Sequence, residues 1–472
     1  MQNRYHQITS YWSILVIFFC LPIVLCGVSS ILPTFDDFTT LQSPQFTSPW
    51  SKQLLPNDSF WRPWDYLFGC LLGRNITLFP TLNHIIIILG HTINALLVFI
   101  ICKKLKFSTH ALNFATLFFF FSPASLGTTL AVDGLNQTYA QLWGLAALFV
   151  YLKDSKKYWF WSVFIFIGAL AKENGLAWAV IPPIIAYAFN LIQRKQALHD
   201  CGIGLVIAIV YFVARITLNV SGEITSDYLD GNFISHVKDL VQLIIYNCIP
   251  VDFISIVYPP SRNWLLAAVT FILSLPFLII LCAYGLKLLK KKTLPLLILC
   301  FFILASPHLL TLVSIMHNYA PLSMTSIIIA YILSNINKDK MKLTTITFVG
   351  YIMTAIFTDI HHFIYAQKSG YLSRDMAQQT IVKTGRKTKS VYVISIDDHT
   401  PKYSSFCVPP VEAFAWGLSV RFYNDFEWPK EITDTLIDIS EKEQVTIIAN
   451  QALSRGADCV WIVNNKNVDI KK

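Results

Sequence analysis

The chain has 472 residues, of which 54% are hydrophobic and only 14% are charged, and its mean hydropathy is +0.52. A soluble domain of this length does not need so much apolar surface, so the composition excludes a soluble globular protein and predicts a polytopic α-helical membrane protein. The formal charge of +9 comes mostly from basic residues in short loops between apolar runs, which indicates membrane topology and not a nucleic-acid partner.

Hydropathy predicts about eleven transmembrane helices in a membrane domain that covers residues 1–365. The first apolar run resembles a signal peptide, but it is long for one and has no small-residue cleavage site, so we expect it to remain as the first span. The fifth run is short for a span and is expected to be tilted or re-entrant. The predicted spans are 11–32, 82–102, 109–127, 135–152, 158–171, 174–192, 201–219, 264–286, 293–314, 319–335 and 343–365.

The charges of the connecting loops predict the orientation. Alternate loops, such as 103–106, 153–157 and 287–292, are rich in lysine, whereas the loops between them carry most of the acidic residues. The positive-inside rule therefore places the N-terminus inside and the C-terminus outside. Two of the outer loops, 33–81 and 220–263, are long and contain aromatic and apolar residues, which predicts helices that lie in the membrane interface.

From about residue 366 the composition becomes that of a soluble protein, which predicts a small extracytoplasmic α/β domain over residues 366–472. The predicted strands are 391–396, 419–423, 445–449 and 460–463, and the predicted helices are 430–441 and 450–456. The ten cysteines have no metal-binding spacing, but Cys407 and Cys459 lie outside the spans and could form a disulfide.

Two adjacent carboxylates, Asp36 and Asp37, follow the first predicted span. Neighbouring acids at a membrane surface need a cation, a proton or a basic partner. One of them could act as the general base on an acceptor hydroxyl, while the other orients it or holds a metal ion. A helix cap beside a solvated loop acid is the alternative, and spacing alone favours it.

Two further groups of charged residues lie at predicted membrane boundaries. Arg62, between two tryptophans and next to a proline, suits a phosphate held at the interface, although an arginine among lipid head groups would have the same sequence. Lys172 and Glu173, between the fifth and sixth predicted spans, are costly unless they are paired or face a wet cavity. A phosphate contact by Lys172, oriented by Glu173, is favoured over the alternative of a plain turn in which Gly175 breaks the helices.

Several other polar residues are predicted to lie towards the outer surface. His84, His91 and Asn94 share one face of the second span, where hydrogen bonds to neighbouring helices are the ordinary role and catalysis is the alternative. The others are Asp133, Arg215, His308, His317, Asn318 and Tyr319. Together they predict a wet cavity at the outer surface, whereas a transport path would place ionisable groups across the middle of the membrane.

In this order and spacing, these elements resemble the GT-C superfamily of membrane glycosyltransferases. The resemblance is greatest to the branch that contains protein O-mannosyltransferases, lipid A aminoarabinose transferases and TPR-bearing O-mannosyltransferases. It covers roughly residues 10–335. The matching residues are Asp36-Asp37, Trp61-Arg62-Pro63, His84 with His91 and Asn94, Ser122-Pro123, Val132-Asp133-Gly134, Leu170 to Gly175, Tyr211 to Arg215, and Asn318-Tyr319-Ala320-Pro321-Leu322.

The resemblance implies a polyprenyl-phosphate-linked sugar as donor and inversion at the anomeric carbon. Asp36 or Asp37 would deprotonate the acceptor hydroxyl, and Arg62, Lys172 and Arg215 would stabilise the departing polyprenyl phosphate. The resemblance gives Glu173, His91, Asp133 and Tyr319 supporting roles. No cofactor is certain, but a Mg²⁺ or Mn²⁺ ion held by Asp36, Asp37 and Glu173 is compatible with the family.

The chain also departs from the family pattern. Trp64 stands where leucine is usual, Ala171 replaces a common serine, and His317-Asn318 stands where an arginine before tyrosine is expected. The last difference weakens the case for a donor contact from that loop. No TPR repeats follow the membrane domain.

The resemblance implies an extracytoplasmic protein, lipid or glycan as the acceptor, and the expected location is a bacterial inner membrane. Three alternatives remain from the sequence. An O-antigen ligase or polymerase would need an outer loop richer in arginine and histidine than 220–263. A flippase for lipid-linked sugars would have inverted repeats and charges at the membrane midplane. A scaffold that binds a partner through its outer domain would not need eleven spans.

Overall fold

The computed structural model describes residues 11–38, 55–56, 61–64, 79–218, 233–309, 314–385 and 387–472. Most of the predicted outer loop 33–81 and the first part of the loop 220–263 lie outside the described residues.

The membrane domain is built from helices whose bounds follow the predicted apolar runs closely. In chain order they are α1 Trp12–Val28, α2 Phe79–Lys104, α3 Thr109–Phe120, α4 Leu126–Thr129, α5 Leu135–Lys153, α6 Tyr158–Ala171, α7 Ile181–Ala188, α8 Arg194–Leu218, α9 Phe233–Cys248, α10 Ile254–Val257, α11 Trp264–Leu288, α12 Thr293–Leu309, α13 Tyr319–Ser334 and α14 Lys338–Thr384. Every predicted run overlaps at least one of them.

Among the described residues, four helices are long and apolar enough to cross a membrane: α2, α8, α11 and α14. The third predicted span is a bent pair, in which α3 and the stretch Pro123–Thr129 meet at 42°, and together they would make a fifth span. Three apolar helices, α1, α6 and α12, are shorter. The chain is therefore a helical integral membrane protein, and the number of eleven spans stays a prediction.

Two of the predicted spans are interrupted, and the breaks have local causes. After α3 the hydroxyl of Ser122 accepts a hydrogen bond from Ala124 N–H, and Pro123 starts a short 3-10 turn because proline suits a first helical position. After α6 the backbone is extended at Lys172 (φ −158°, ψ 143°), and a 3-10 segment, Glu173–Ala179, replaces the first half of the predicted sixth span. This second break presents Lys172 and Glu173 at the end of α6.

The amphipathic helix predicted in the loop 220–263 is present as α9. Its apolar residues Ile234, Val237, Val241 and Ile244 are exposed and recur with a helical period. An exposed apolar stripe on a helix of this length fits one that lies along a membrane surface.

The last membrane helix, α14, continues through residue 365 into the C-terminal domain. Its 47 residues correspond to a length of about 70 Å, which is more than twice a bilayer core. Its final turns pack Met376 and Ala377 against Val391, Val393 and Trp461 of the C-terminal sheet. The C-terminal domain is thus attached to the bundle by a rigid helix.

The C-terminal domain contains one sheet of four strands in the order β2-β1-β3-β4. The strands β1, β2 and β3 are parallel, and β4 runs antiparallel to β3. The strands are β1 Ser390–Asp397, β2 Glu431–Asp438, β3 Cys459–Asn464 and β4 Asn467–Lys471, and the helices are α15 Pro410–Ala413, α16 Leu418–Tyr423 and α17 Val445–Ser454. The end of α14 covers one face of the sheet, and α17 covers the other.

The structure corrects several predictions in this domain. The stretches 419–423 and 445–449 are helical and not extended, and the predicted helix 430–441 contains the strand β2. Two of the predicted strands, 391–396 and 460–463, are confirmed. The predicted disulfide is wrong, because Cys407 and Cys459 are both buried free thiols.

Candidate functional site

Beyond α1 the chain turns at Phe35, whose φ of 47° lies in the left-handed region, and Asp36–Phe38 form a short helical turn. Asp37 points inward and is 1% exposed. Its Oδ2 accepts a hydrogen bond from Thr34 N–H at 3.1 Å, and its Oδ1 accepts one from Val132 N–H at 2.8 Å. A longer bond of 3.4 Å comes from Asp133 N–H.

These bonds make Asp37 an anchor between the turn and the 3-10 segment Val132–Gly134. Burial and the neighbouring charge of Asp133 raise the pKa of Asp37 well above its usual value, and the three backbone N–H groups oppose that rise. Since its oxygens face backbone amides and not a cavity, Asp37 is better suited to hold the turn than to reach a substrate. Asp133 lies directly beside it.

Asp36 is the half-buried member of the pair, and it lies near Lys402 of the C-terminal domain. Burial raises the pKa of Asp36, while the positive charge of Lys402 opposes that rise. The Lys402 ammonium lies 4.1 Å from the centre of the Phe35 ring and 3.9 Å from Glu412 Oε2. Burial also raises the pKa of Glu412, an effect that Lys402 opposes and the charge of Asp36 reinforces.

Sequence reasoning missed Lys402 and Glu412, which stand far from Asp36 in the chain. Neither belongs to a motif, and only the packing of the C-terminal domain on the first turn brings them there. An ionisable group with a raised pKa beside a lysine suits a general base, because it binds a proton more readily than a free aspartate.

The second charged group is centred on Arg62 and Glu173. Two nitrogens of the Arg62 guanidinium donate hydrogen bonds to the Glu173 carboxylate. Nε lies 3.1 Å and Nη2 lies 2.8 Å from Oε2, and Nε also lies 3.3 Å from Oε1. The two side chains remain 21% and 22% exposed. Burial alone would raise the pKa of Glu173, but the charge and hydrogen bonds of Arg62 outweigh it and the pKa is lowered.

Two tryptophans hold Arg62 in place. The Trp61 ring stacks on Tyr211 of α8, with centroids 5.3 Å apart. The Trp64 ring stacks on Tyr139 of α5 at 6.0 Å, and its Nε1–H donates to Ile167 O of α6 at 3.2 Å. The arginine is thus fixed by aromatic contacts to three helices on either side of it.

Two further predicted cations lie close to this pair. The charge of Arg215 on α8 acts on Glu173, and the charge of Lys172 acts on His308 and His317. The two histidine rings stack with their centroids 4.3 Å apart. The structure therefore brings together Arg62, Lys172, Arg215 and Glu173, and we call these four residues the cation cluster.

His317 and Asn318 stand where the resemblance leads us to expect an arginine before Tyr319. The Nδ1 of His317 accepts a hydrogen bond from Ser314 N–H at 3.1 Å, so that nitrogen carries no proton. Burial lowers the pKa of His317 well below its usual value, and the charges of His308, Lys172 and Arg62 lower it further. A neutral imidazole therefore replaces a cation at this position, and the positive charge comes from the cation cluster.

His91 and Tyr319 belong to a buried network between helices, as the ordinary reading of the sequence expects. His91 Nε2–H donates to Phe120 O at 3.1 Å, which leaves Nδ1 to accept from the Tyr319 hydroxyl at 3.0 Å. The hydroxyl oxygen accepts from Asn94 Nδ2 at 2.9 Å, and Asn94 also donates to Thr138 O at 3.0 Å. These groups fix α2, α3, α5 and α13 to one another.

The whole chain shares its architecture with a solved membrane protein. ArnT from Cupriavidus metallidurans in the apo state matches it with a TM-score of 0.55 over 97% of each chain, at 11% sequence identity. The chain has a GT-C fold. The archaeal oligosaccharyltransferase AglB from Archaeoglobus fulgidus, in complex with an inhibitory peptide and a dolichol-phosphate, matches 96% of this chain and 69% of its own, with a TM-score of 0.49 and 11% identity.

The expected resemblance is therefore confirmed as a likeness of fold. No model of a known protein family matches the sequence, and no curated protein matches it. At 11% identity the fold is what the two chains share, so the chemistry rests on the residues of this chain.

In this GT-C fold one short helix connects the two charged groups. A side-chain carbon on Gly127 of α4 would lie 2.5 Å from Met316 N, so α4 packs directly on the segment that carries His317. Thr128 of the same helix donates to Met316 O at 3.1 Å, and its carbonyl lies against Gly134, beside the anchor of Asp37. The Asp36 turn and the cation cluster are thus joined through α4.

The expected metal site does not fit this arrangement. Within the described part of the chain, no group of three or more His, Cys, Asp and Glu side chains is placed to hold a metal ion. The oxygens of Asp37 accept backbone N–H groups, and those of Glu173 accept the Arg62 guanidinium. Asp36, Asp37 and Glu173 are therefore not placed to share a metal ion.

A third polar group, which sequence reasoning missed, lies where α14 meets the C-terminal domain. Asp252 Oδ2 accepts from Ser255 Oγ at 2.6 Å and contacts His361 Nδ1 at 2.8 Å. His362 Nδ1–H donates to Thr358 O, and its Nε2 accepts from the Tyr403 hydroxyl at 2.8 Å. This group fixes the segment around Tyr403, and so the neighbouring Lys402, to the membrane helices.

Proposed function

We propose that this protein is a membrane glycosyltransferase that moves a sugar from a polyprenyl-phosphate-linked donor to a hydroxyl of an extracytoplasmic acceptor. The observation that carries the proposal is the gathering of Arg62, Lys172 and Arg215 around Glu173, at the same end of the bundle as Asp36. The GT-C fold, which this chain shares with ArnT, a lipid A aminoarabinose transferase, supports the same class of reaction.

The cation cluster has the charge that a donor phosphate requires. The cluster contains three cations and one carboxylate, and the bidentate contact to Glu173 fixes the orientation of the Arg62 guanidinium. A phosphate at this position gains charge as the sugar departs, so preorganised cations stabilise the transition state more than the ground state.

Asp36 is the proposed general base. It would take the proton of the acceptor hydroxyl as the oxygen attacks the anomeric carbon. A glycosidic C–O bond forms while the bond between the anomeric carbon and the phosphate oxygen breaks, and the polyprenyl phosphate leaves with that electron pair. Attack from the side opposite the leaving group inverts the anomeric configuration. Asp37 holds the turn that presents Asp36, and Lys402 sets its charge state.

The proposed location is a bacterial inner membrane, with the site and the C-terminal domain on the extracytoplasmic face. There neither nucleotide sugars nor ATP are needed, because the donor is already activated. Membrane lipids surround the helices, and the partners are the donor and an acceptor protein, lipid or glycan.

Sugar transfer by the purified protein in liposomes tests the proposal. Radiolabelled polyprenyl-phosphate sugars serve as donors, and a membrane extract serves as acceptor. We expect Asp36→Asn to lower transfer roughly 10²- to 10⁴-fold, the size of a lost general base. Arg62→Lys keeps the charge but not the bidentate geometry, so we expect the donor KM to rise about tenfold.

The matched control for the arginine change is Arg374→Lys, at an exposed pair with Asp375 in which the side chains are 37% and 53% exposed. It should leave the donor KM unchanged. Full transfer by a folded Asp36→Asn variant would refute the proposed base, and no transfer by the wild-type protein with any polyprenyl-phosphate sugar would refute the proposed function.

A further inference from the structure

The short helix α15 brings a carboxylate of the C-terminal domain to the Asp36 turn. Its last residue, Ala413, packs on Phe35, the residue before Asp36. The Phe35 ring also lies against the Trp416 ring, with centroids 5.4 Å apart. Glu412 directly precedes Ala413, so this packing places Glu412 close enough to Asp36 for the charge of Asp36 to act on it.

Two hydrogen bonds to backbone carbonyls fix α15 in this position. The hydroxyl of Ser373 on α14 donates to Ala413 O at 2.5 Å, and the hydroxyl of Tyr258, which follows α10, donates to Val408 O at 3.2 Å. Both donor residues are buried. The place of Glu412 beside the Asp36 turn is therefore set by α14 and by the segment after α10.

Lys402 is the cation that the two carboxylates share. Its Nζ lies 3.9 Å from Glu412 Oε2 and 4.1 Å from the centre of the Phe35 ring, and its charge acts on both Asp36 and Glu412. Glu412 Oε2 is buried and accepts no hydrogen bond from the residues that the structure describes. At 3.9 Å the ammonium attracts this oxygen without bonding to it, and a flexible lysine that is 48% exposed can move towards either carboxylate.

The charges around Lys402 are mostly negative. Asp397, at the end of β1, acts on Glu412 together with Asp36, so three carboxylates lie near one ammonium. Repulsion between carboxylates is mutual, and each of them attracts the lysine. Other titratable groups of the surrounding elements are Asp37, Asp133, Tyr258, His399, Tyr423 and the pair of Arg374 with Asp375 on α14.

From this arrangement we infer that Glu412 is a positioning residue of the transferase, which competes with Asp36 for the Lys402 ammonium and so keeps Asp36 able to take the acceptor proton. A close ion pair occupies a carboxylate oxygen and makes it a weaker base. The inference rests on the proposed transferase function. It gives the C-terminal domain a part in the site, since α15 and the segment after β1 supply the two competing groups.

The Glu412→Gln variant tests the competition, because it keeps the shape of the side chain and removes its charge. Lys402 then acts on Asp36 alone, so the pKa of Asp36 falls. We expect the acidic limb of the kcat/KM profile to move to lower pH by about one unit and kcat to fall roughly tenfold. The donor KM should stay unchanged, since the cation cluster is not altered. Glu412→Asp keeps the charge and should retain most of the transfer rate.

A double variant separates this role from a structural one. In Glu412→Gln with Lys402→Met no ammonium remains to pair with Asp36, so kcat should recover to within about threefold of that of Lys402→Met alone. If Glu412 only stabilises α15, the double variant stays as slow as Glu412→Gln. The matched control is Glu431→Gln, in an exposed pair with Lys389 at 4.0 Å, which should leave kcat and the pH profile unchanged.

Carbodiimide labelling of Asp36 in the full chain in liposomes, located by mass spectrometry, gives a readout that needs no sugar transfer. A carbodiimide reacts with protonated carboxyls, so the pH midpoint of labelling reports the protonation of Asp36. We expect the midpoint to move to lower pH in Glu412→Gln and to stay in Glu431→Gln. Lys402→Met should move it to higher pH, which tests the shared lysine if Glu412→Gln does not fold.

An unmoved midpoint in folded Glu412→Gln would overturn the inference even if the wild-type protein transfers sugar. A double variant that does not recover kcat would overturn it as well. A midpoint that moves as expected, in a protein that transfers sugar from no polyprenyl-phosphate donor, would refute the proposed function and leave the competition between Glu412 and Asp36 standing.

Discussion

At the scale of single residues, the two adjacent aspartates have different environments and therefore different uses. Asp37 is buried and accepts bonds from three backbone amides, while Asp36 is half-buried and lies near Lys402 and Glu412. The sequence predicts a pair, but it does not indicate which carboxylate faces inward. That distinction depends on the loop around Val132, which is far away in the chain.

The role of Asp37 as an anchor predicts a loss of stability. In Asp37→Ala three buried N–H groups lose their acceptor, so we expect the free energy of unfolding to fall by about 3 kcal/mol. Asp36→Asn should leave the midpoint of thermal unfolding unchanged while it lowers the rate of sugar transfer. Thermal unfolding in detergent, followed beside the transfer assay, checks both variants. Equal midpoints for Asp37→Ala and the wild type would contradict the anchor.

The positive charge of Lys402 near Asp36 predicts a change in pH dependence. The base must be ionised, and the positive charge of Lys402 favours the ionised form and lowers the pKa of Asp36. In Lys402→Met that pKa rises further, so the acidic limb of the kcat/KM profile should move to higher pH. Lys387→Met is the control, because it also removes a lysine that pairs with a glutamate, Glu427, but in an exposed ion pair. If the acidic limb does not move, Lys402 does not influence the pKa of the general base.

At the scale of elements, apolar runs predict the membrane helices well and the C-terminal domain poorly. The predicted run 158–171 has the bounds of α6, because a long apolar run allows few alternatives. In contrast, Val445-Thr-Ile-Ile-Ala449 has strand propensity but forms a helix, since Val445, Ala449 and Ala452 recur with helical spacing and pack on the sheet. For such short segments, tertiary packing and not intrinsic propensity determines the secondary structure.

The residues of the site also differ in how well the sequence predicts them. Motifs in the sequence identify Arg62, Lys172, Glu173 and Arg215, and the structure brings these residues together. Lys402 has no motif and reaches Asp36 only through the fold of the C-terminal domain.

Two glycines of α8 give a prediction for helix packing. A side-chain carbon on Gly204 would lie 1.9 Å from Ala179 O, whereas one on Gly202 would meet nothing within 4 Å. We expect Gly204→Ala to destabilise the protein by about 1–3 kcal/mol, because the backbone of α8 must move away. Gly202→Ala should be neutral or stabilising by up to about 1 kcal/mol. Thermal midpoints in detergent compare the two, and equal effects would contradict the close contact.

At the scale of the whole molecule, contacts gather the lysine-rich loops at one end of the bundle. The Lys103 ammonium lies 4.7 Å from the Tyr11 ring centre, and Ser108 N–H bonds Ser334 Oγ at 3.0 Å. Lys291 Nζ bonds Asn335 Oδ1 at 3.2 Å. The ends of α1, α2, α11 and α13 therefore meet at one face, and the Asp36 turn and the cation cluster lie at the ends of helices away from it.

This separation predicts the orientation in the membrane. Because positively charged loops stay on the cytoplasmic side, the lysine-rich face is expected inside and the C-terminal domain outside. A cysteine at exposed Ser440 should react with a membrane-impermeant maleimide in intact cells, whereas a cysteine at exposed Lys291 should react only after the membrane is opened. The unsubstituted chain gives the background from its native thiols. The reverse labelling pattern would place the Asp36 site in the cytoplasm, where nucleotide sugars are available and a polyprenyl-phosphate donor is no longer required.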